Sequence, residues 1–425
     1  MKSFNTKNSI SQENISSIAH DGLCTGCGIC VAICPVSAIK MEIHSKKGIY
    51  IPIIDNKCNK CGRCYETCPG HGFDFKYFNK ILFGENKYSN SFGNYINCYL
   101  GHSTNDNQRF NSSSGGLVTE LLIFILENNI ADGVLITKMN TKNPLEPEPF
   151  IARTKEEIIE SIGSKYCPVP ANIAIKEIMN SKNEDKFVVV GLPCHIQGIR
   201  KAELLNKKLK EKIVFHIGIF CAKTISFNGI EYFLKKEKIK KKDLNQISYR
   251  GCGWPGGMSI KLKDGKNRFY PLKNYYGRIF GAFMPWRCAL CCDATAEVAE
   301  ISCGDAWLPE YEHDKKGTSV IITRNHDADN LLKLMKDYNK CKIEPTSIRN
   351  VERSQDYFKW KKGNLSSRFL VSKLFLKKNP VYINCIQVKP LPHAKLDSFL
   401  AYILHFISIR QNIHSLLSLI NYFYK

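Results

Sequence analysis

The chain predicts a mixed α/β protein: a small cysteine-built unit at the N-terminus, then a larger mixed-sheet region with flanking helices. Three observations carry this. Cysteines between Leu23 and Pro69 fall into two dense, equally spaced runs. Farther on, short apolar β-branched runs alternate with stretches of helical period, as strand–helix–strand units do. And with 425 residues, 44% apolar and 11% aromatic, the chain can bury a sizeable core, which excludes a disordered or fibrous protein.

The chain holds 19 cysteines, too few for a small disulfide scaffold and many for an ordinary cytosolic enzyme. Its start, M-K-S-F-N-T-K-N-S-I, lacks the apolar core of a signal peptide, and no run of 18 apolar residues follows. A cytoplasmic protein with reduced thiols is expected, so clustered cysteines point to metal or redox chemistry. With 61 Lys and Arg against 39 Asp and Glu, the formal charge is +22. Alone, that would suggest nucleic acid, an anionic membrane or acidic ligands. No helix-turn-helix, zinc-finger or aromatic-basic pattern supports a nucleic-acid partner.

Residues 1–18 read as a flexible tail and 19–76 as the cysteine unit. Its runs are Cys24-x-x-Cys27-x-x-Cys30-x-x-x-Cys34-Pro35 and Cys58-x-x-Cys61-x-x-Cys64-x-x-x-Cys68-Pro69. This is the spacing of bacterial ferredoxins with two [4Fe–4S] clusters, in which the fourth cysteine of each run ligates the other cluster. Cys24, Cys27, Cys30 and Cys68 are therefore assigned to one cluster, and Cys58, Cys61, Cys64 and Cys34 to the second. Gly26, Gly28 and Gly62 suit the tight wrap. A zinc site is the alternative, but zinc takes four ligands per ion, often as two separated C-x-x-C pairs, and does not need two complete four-cysteine runs. Between the runs, I-K-M-E-I-H-S-K-K-G-I-Y-I-P-I alternates around K-K-G as a hairpin.

Residues 77–95, rich in Asn, Gly and Ser, read as a linker. Then come a helix near 116–128, a strand near 133–137, a Pro-rich loop near 143–150 and a helix near 171–181. A strand at 187–191, a helix at 196–208 and a strand at 213–220 form one crossover unit, which makes the strands parallel. A lysine-faced helix near 228–240 precedes short strands and Gly-rich turns over 247–283. After residue 340 the pattern weakens. A helical period returns over 396–424, with Phe399, Ile403, Phe406, Ile413, Leu416, Ile420 and Phe423 on one stripe. That stripe suits packing on its own domain, docking on a partner or peripheral membrane contact.

The strands at 187–191 and 213–220 each close on a cysteine, Cys194 and Cys221. Both fall at the carboxyl edge of one sheet, where α/β folds bind ligands. With Cys288-x-x-Cys291 they make four thiols, enough for a third [4Fe–4S] cluster; each could instead be a buried small hydrophobe. Cys292 and Cys303 are rival ligands nearby, and Cys98, Cys167, Cys252, Cys341 and Cys385 read as buried or incidental. In N-S-S-S-G-G-L-V-T-E, residues 111–120, Ser112, Ser113, Ser114, Gly115 and Gly116 crowd a helix start. They could cap the helix or cradle a phosphate.

These stretches agree with one family: R-F-N-S-S-S-G-G-L-V-T, G-S-K-Y (163–166), G-L-P-C-H-I-Q-G, G-I-F-C, Y-R-G-C-G-W-P-G and C-A-L-C-C-D-A-T-A-E-V-A-E-I-S-C-G-D-A-W. From about residue 95 to 325 the chain resembles the β subunit family of coenzyme F420-reducing hydrogenases and coenzyme F420 dehydrogenases; plant 7-hydroxymethyl chlorophyll a reductase is similar too. The resemblance implies two parts of one FAD and iron–sulfur domain, 96–180 with the flavin phosphate loop and 181–340 with the third cluster, then a C-terminal extension over 341–425. It implies Cys194, Cys221, Cys288 and Cys291 as cluster ligands, and Ser112–Gly116, Ser164 and Lys165 as holding FAD. It places Lys165 near flavin or substrate; His195, where relatives often carry Gln, is a second candidate catalytic group. Cys167, Cys292 and Cys303 depart from the family pattern.

The expected function is an iron–sulfur flavoprotein oxidoreductase with three [4Fe–4S] clusters and FAD, passing electrons between a protein partner and a small organic substrate. Two alternatives stand beside it: an electron-relay subunit without turnover of its own, and a reductase linked to surface polysaccharide synthesis. The clusters and an FAD pyrophosphate would bring the charge from +22 to roughly +14.

Overall fold

The computed structural model describes residues 14–84, 86–277, 280–383, 385 and 393–410. Its centre is an eight-stranded mixed sheet. In spatial order the strands are Cys341–Pro345, Asn97–Ser103, Ser319–Thr323, Ile301–Asp305, Ile213–Ile219, Phe187–Gly191, Gly133–Met139 and Pro147–Ala152. The four strands from Ile301–Asp305 to Gly133–Met139 run parallel, and the outer pairings are antiparallel. Parallel strands need both faces covered. Their sequences comply: Phe187, Val188, Val189, Val134, Leu135, Ile217 and Ile301 are all fully buried. Helix Leu117–Glu127 covers one face, burying Leu121, Phe124 and Ile125. Helix Pro193–Leu205 and the short helix Lys207–Lys212 make the crossover between Phe187–Gly191 and Ile213–Ile219. The helix expected at 196–208 thus starts earlier, because Pro193 presets its first turn, and breaks at Asn206, whose side chain caps the next helix.

The N-terminal hairpin pairs Ile39–Ile43 with Tyr50–Ile54 antiparallel, Ile39 opposite Ile54. A three-stranded antiparallel sheet forms from Leu244–Ser248, Gly257–Leu262 and Asn267–Pro271. Several expectations change. Residues 15–20 are a helix whose Ile15 and Ile18 are buried, so this part of the expected tail packs on the cysteine unit. The expected linker contains most of helix Phe75–Phe83 and a small hairpin, anchored by Phe78, Phe83 and Phe92. Part of the expected Pro-rich loop is strand Pro147–Ala152, tolerated because it lies at a sheet edge. Helix Ala394–Ser408 is described; Ile413, Leu416, Ile420 and Phe423 lie outside the described residues. It docks through Tyr402 on Trp286, ring centroids 4.8 Å apart, and through Ile407, leaving Phe399 and Phe406 exposed. Among the described residues no helix is long and apolar enough to cross a membrane.

A buried charge network locks the crossover helix to the sheet. Arg200 bonds Glu203 at 3.1 Å, and also Glu300. His216 meets Glu203 at 2.7 Å through Nε2 and Glu300 at 3.1 Å through Nδ1. Burial pushes both carboxyls up, but Arg200 and His216 outweigh it and hold them below their ordinary value. Burial and Arg200 pull His216 down, yet the two carboxylates win and hold it above its ordinary value. The histidine contribution is full below about pH 6.5 and fades as pH rises through its folded value. The carboxylate contributions are full above about pH 4.3 and fade as pH falls through theirs. Glu300→Ala should therefore cost about 3–5 kcal/mol. Denaturant melts of the variant against the parent should show the largest gap between about pH 4.3 and 6.5 and a smaller one toward higher pH.

Candidate functional site

The N-terminal thiols form two groups. Burial raises Cys24, Cys27, Cys30 and Cys68, and neighbouring thiols add to it at Cys24, Cys30 and Cys68; Cys64 also acts on Cys30, so the two groups adjoin. Burial pushes Cys24 up to about 12 and Cys68 up to about 11. Amides already face these sulfurs: Gly26 donates to Cys24 Sγ at 3.3 Å and Gly70 to Cys68 Sγ at 3.2 Å. Gly28 is required twice over. Its φ is +85°, and an added Cβ would lie 2.7 Å from Ile173 Cγ2 and 2.9 Å from the Pro170 carbonyl. In the second group Cys64 is raised first by burial and then by Cys61 and Cys58. The amide of Ile15, from the unexpected N-terminal helix, donates to Cys64. Ala38 donates to Cys34 Sγ at 3.3 Å, and Cys34 packs against an apolar cluster that holds Cys30, Cys64 and Cys68.

The third group gathers from the sheet's carboxyl edge. Cys194 lies in the first turn of helix Pro193–Leu205, three residues past Gly191, where the helix dipole favours a thiolate. Cys221 follows Ile219 by two residues. Burial holds Cys194 far up and Cys221 at about 12; Cys288 and Cys291 add to both. Cys27 also acts on Cys194, so the first and third groups adjoin. The rivals separate. Cys303 points into the apolar core and no neighbouring thiol or charge perturbs it. Cys292 faces Cys385. Cys98 and Cys341 are core residues, Cys167 contacts Tyr249, and Cys252 is exposed.

Among the described residues no three His, Cys, Asp or Glu side chains close on a single ion. What these thiols share is burial, neighbouring thiols and amide donors. Buried thiols this far up stay protonated unless positive charge compensates them, as an iron–sulfur core does. The surroundings fit a group of net negative charge. Arg287, 5% exposed, donates to the carbonyls of Leu23, Gly70 and Pro69 and faces Cys288 and Cys291. Lys201 bonds the Cys68 carbonyl at 2.7 Å, and Lys361 reaches Cys291 Sγ at 3.7 Å. Sequence reasoning missed these cations: Lys201 and Lys361 come from segments distant from Cys68 and Cys291, and Arg287, although next to Cys288, shows its bonds to Leu23, Pro69 and Gly70 only in the fold.

The serine–glycine loop hangs from the same sheet edge. Asp305 pairs with Ser319, and Ser319 with Gly101. Ser319 Oγ accepts from the Gly115 amide and donates to Ser114 Oγ, both at 3.0 Å. Ser114 in turn donates to Thr318 O at 2.9 Å, and Ser112 donates to Gln108 O at 2.7 Å. Those two hydroxyl protons are spent within the protein. Ser113 accepts from the amide and hydroxyl of Ser164 at 2.7 and 2.9 Å, joining the loop to the G-S-K-Y turn. Lys165 curls back on the carbonyls of Ser161 and Gly163, and burial lowers it to about 8. His195 is buried at the start of helix Pro193–Leu205. Its Nδ1 takes the Leu192 amide at 3.2 Å and its Nε2 meets the Val169 carbonyl at 3.0 Å. Burial holds it down at about 4. Both ring nitrogens are engaged within the protein, Nδ1 accepting and Nε2 donating. Beside the loop, Arg250 bridges Asp305 at 2.8 Å and Tyr166 at 3.1 Å; the stretch around Arg250 was in view, its role was not.

Family models for the coenzyme F420 hydrogenase/dehydrogenase β subunit match residues 98–176 with its N-terminal part and 184–349 with its C-terminal part. A 4Fe-4S dicluster domain model matches residues 23–77. The coenzyme F420 hydrogenase β subunit of Methanosarcina barkeri is 26% identical over 54% of this chain and 78% of its own length. The coenzyme F420-dependent sulfite reductase of Methanocaldococcus jannaschii is 26% identical over 78% of this chain and 49% of its own. A chain of the F420-reducing [NiFe] hydrogenase complex from Methanosarcina barkeri shares the fold, with TM-score 0.54 and 23% identity over 68% of this chain and 94% of that one. The chain belongs to the coenzyme F420 hydrogenase/dehydrogenase β subunit family and is an iron–sulfur redox protein of oxidoreductase type. Helices Ile29–Ala32 and Arg63–Glu66 have four residues each, so their own backbone hydrogen bonds hold them little. Anaerobic iron removal should therefore strip hydrogen-exchange protection from residues 24–68 while strand Phe187–Gly191 stays protected.

Proposed function

We propose that the chain passes electrons between a protein redox partner and a small organic substrate, through three [4Fe–4S] clusters and FAD. The observation that carries this is the shared sheet edge. Cys221 follows strand Ile213–Ile219, and Ser319, which holds the serine–glycine loop, opens a strand two places along. Two interstrand steps are roughly 10 Å. In this reading Cys24, Cys27, Cys30 and Cys68 hold one cluster and Cys34, Cys58, Cys61 and Cys64 another. Cys194, Cys221, Cys288 and Cys291 hold the third. Cys61 is exposed, whereas Cys27 and Cys194 are in mutual electrostatic range, so electrons pass from the outer group through the inner one to the third.

Bound FAD would supply the exchange between one-electron and two-electron chemistry. The Gly115–Gly116 backbone, the helix Leu117–Glu127 start and the Ser113–Ser164 pair would seat its phosphates. Lys165 would shape the Ser164 turn from behind. Coenzyme F420, named in the family's description, is one candidate substrate. A relay subunit within a larger complex is the second reading, favoured by relatives named as subunits; diaphorase activity of the isolated chain separates the two.

Anaerobically purified protein should carry about twelve iron atoms and one flavin per chain; zinc in place of iron would overturn the reading. A Cβ at residue 115 would lie 2.7 Å from the Gly101 carbonyl and 3.0 Å from the Ser319 amide. Gly115→Ala should thus lose most of the flavin and keep its iron, as read by absorbance and iron assay.

A further inference from the structure

Residues after 349 lie beyond both β-subunit family models. Yet this C-terminal region reaches the third thiol group. A π-helical turn, Lys359–Gly363, carries two buried lysines, Lys361 and Lys362. Such turns alter which way successive side chains point and are frequent at functional sites. Lys361 is 2% exposed. Its Nζ donates to Cys291 Sγ at 3.7 Å and to the Asp293 carbonyl at 2.7 Å.

The position is built, not incidental. Arg368, fully buried, donates to the carbonyls of Trp360 and Lys361 at 2.7 Å each, and also to Ala289 O. Its guanidinium lies 4.1 Å from the Trp360 ring centroid. One side chain thus clamps the lysine turn to the segment bearing Cys288 and Cys291. The competing partner, the Asp293 carboxylate, is engaged elsewhere: it accepts from Gln197 at 2.9 Å and from the Thr295 amide at 3.1 Å. Lys362 pairs with Glu297 at 2.5 Å instead. Lys362 also lies near thiols, Cys385 and Cys292, but its ion pair is with Glu297; Lys361 is the one of the two that hydrogen-bonds Cys291.

We propose that Lys361 is a positioning residue of the third site, its ammonium set against the Cys291 thiolate to favour the one-electron-reduced state. This rests on the reading of Cys194, Cys221, Cys288 and Cys291 as cluster ligands. One electron from the external donor adds one negative charge to the four-thiolate site; no bond forms or breaks and no proton moves. A fixed cation in a water-poor pocket stabilises that added charge. The C-terminal region is then part of the redox site.

The test is a redox titration of anaerobic holoprotein, followed by electron paramagnetic resonance, with Lys361→Met, Lys361→Arg and Cys288→Ser. Cys288→Ser identifies the third-site signal; if that variant keeps both its iron and all its signals unchanged, the cluster assignment itself fails. Lys361→Met should make this site about tenfold harder to reduce at a given potential, about 59 mV downward for one electron. The other two signals should not move, and Lys361→Arg should stay near the parent. A Met variant with full iron and the parent's potential overturns the inference. Iron lost in Met but kept in Arg supports it, since the charge is then what holds the site. Equal iron loss in both overturns it.

Discussion

Sulfur that is to carry negative charge inside a protein must be given positive partners, and much of this molecule follows from that. Left to burial alone, Cys24, Cys194 and Cys221 would remain neutral thiols. The chain answers with three kinds of donor: backbone amides at Gly26, Ala38 and Gly70, a helix start under Cys194, and buried cations. The cations also do the joining. Arg287 sits in the C-x-x-C segment but bonds Leu23, Pro69 and Gly70, so it fastens the N-terminal unit to the main body. Arg368 fastens the C-terminal region to the same segment. Compensating the sulfurs and assembling the three regions are one task done by the same side chains.

The mixed sheet explains where this happens. Parallel strands deliver their carboxyl ends to one edge, and loops leaving that edge can converge without crossing the core. Cys194 and Cys221 leave from neighbouring strands, and Asp305 pairs with Ser319 next along. At the sheet's middle the Arg200, Glu203, His216 and Glu300 network fixes the crossover helix against strand Ile213–Ile219. Breaking a buried pair is costly because it strands a charge, so the helix that carries Cys194 cannot slide.

What was legible in the sequence was local. The cysteine runs, the hairpin at Ile39–Ile54 and the Phe187–Gly191 and Ile213–Ile219 strands all announce themselves by spacing or period. Spacing left Cys303 open as a rival of Cys194, Cys221, Cys288 and Cys291; in the fold it lies inside strand Ile301–Asp305 and packs in the core. Hydroxyl use in the serine loop was not legible, since Thr318 and Ser319 are distant in sequence from Ser114. Lys361 and Arg368 were invisible for the same reason. A lysine in a lysine-rich chain carries no signal until its neighbour is known.

That last point changes the meaning of the +22 charge. A basic excess on a surface is a statement about partners, solubility or association. Here part of it is internal. Arg287, Lys361 and Arg368 are buried and spend their hydrogen bonds mainly on carbonyls, which satisfy the donors but leave the charge unneutralised. A buried cation without an anion is costly. Cysteine sulfurs lie near all three, with Tyr382 also beside Arg287 and Arg368 and Asp293 also beside Lys361. The same arithmetic applied to residue counts alone would send these cations to the surface and read them as a docking face. Their placement puts them inside the protein beside cysteine sulfurs, not on a docking face.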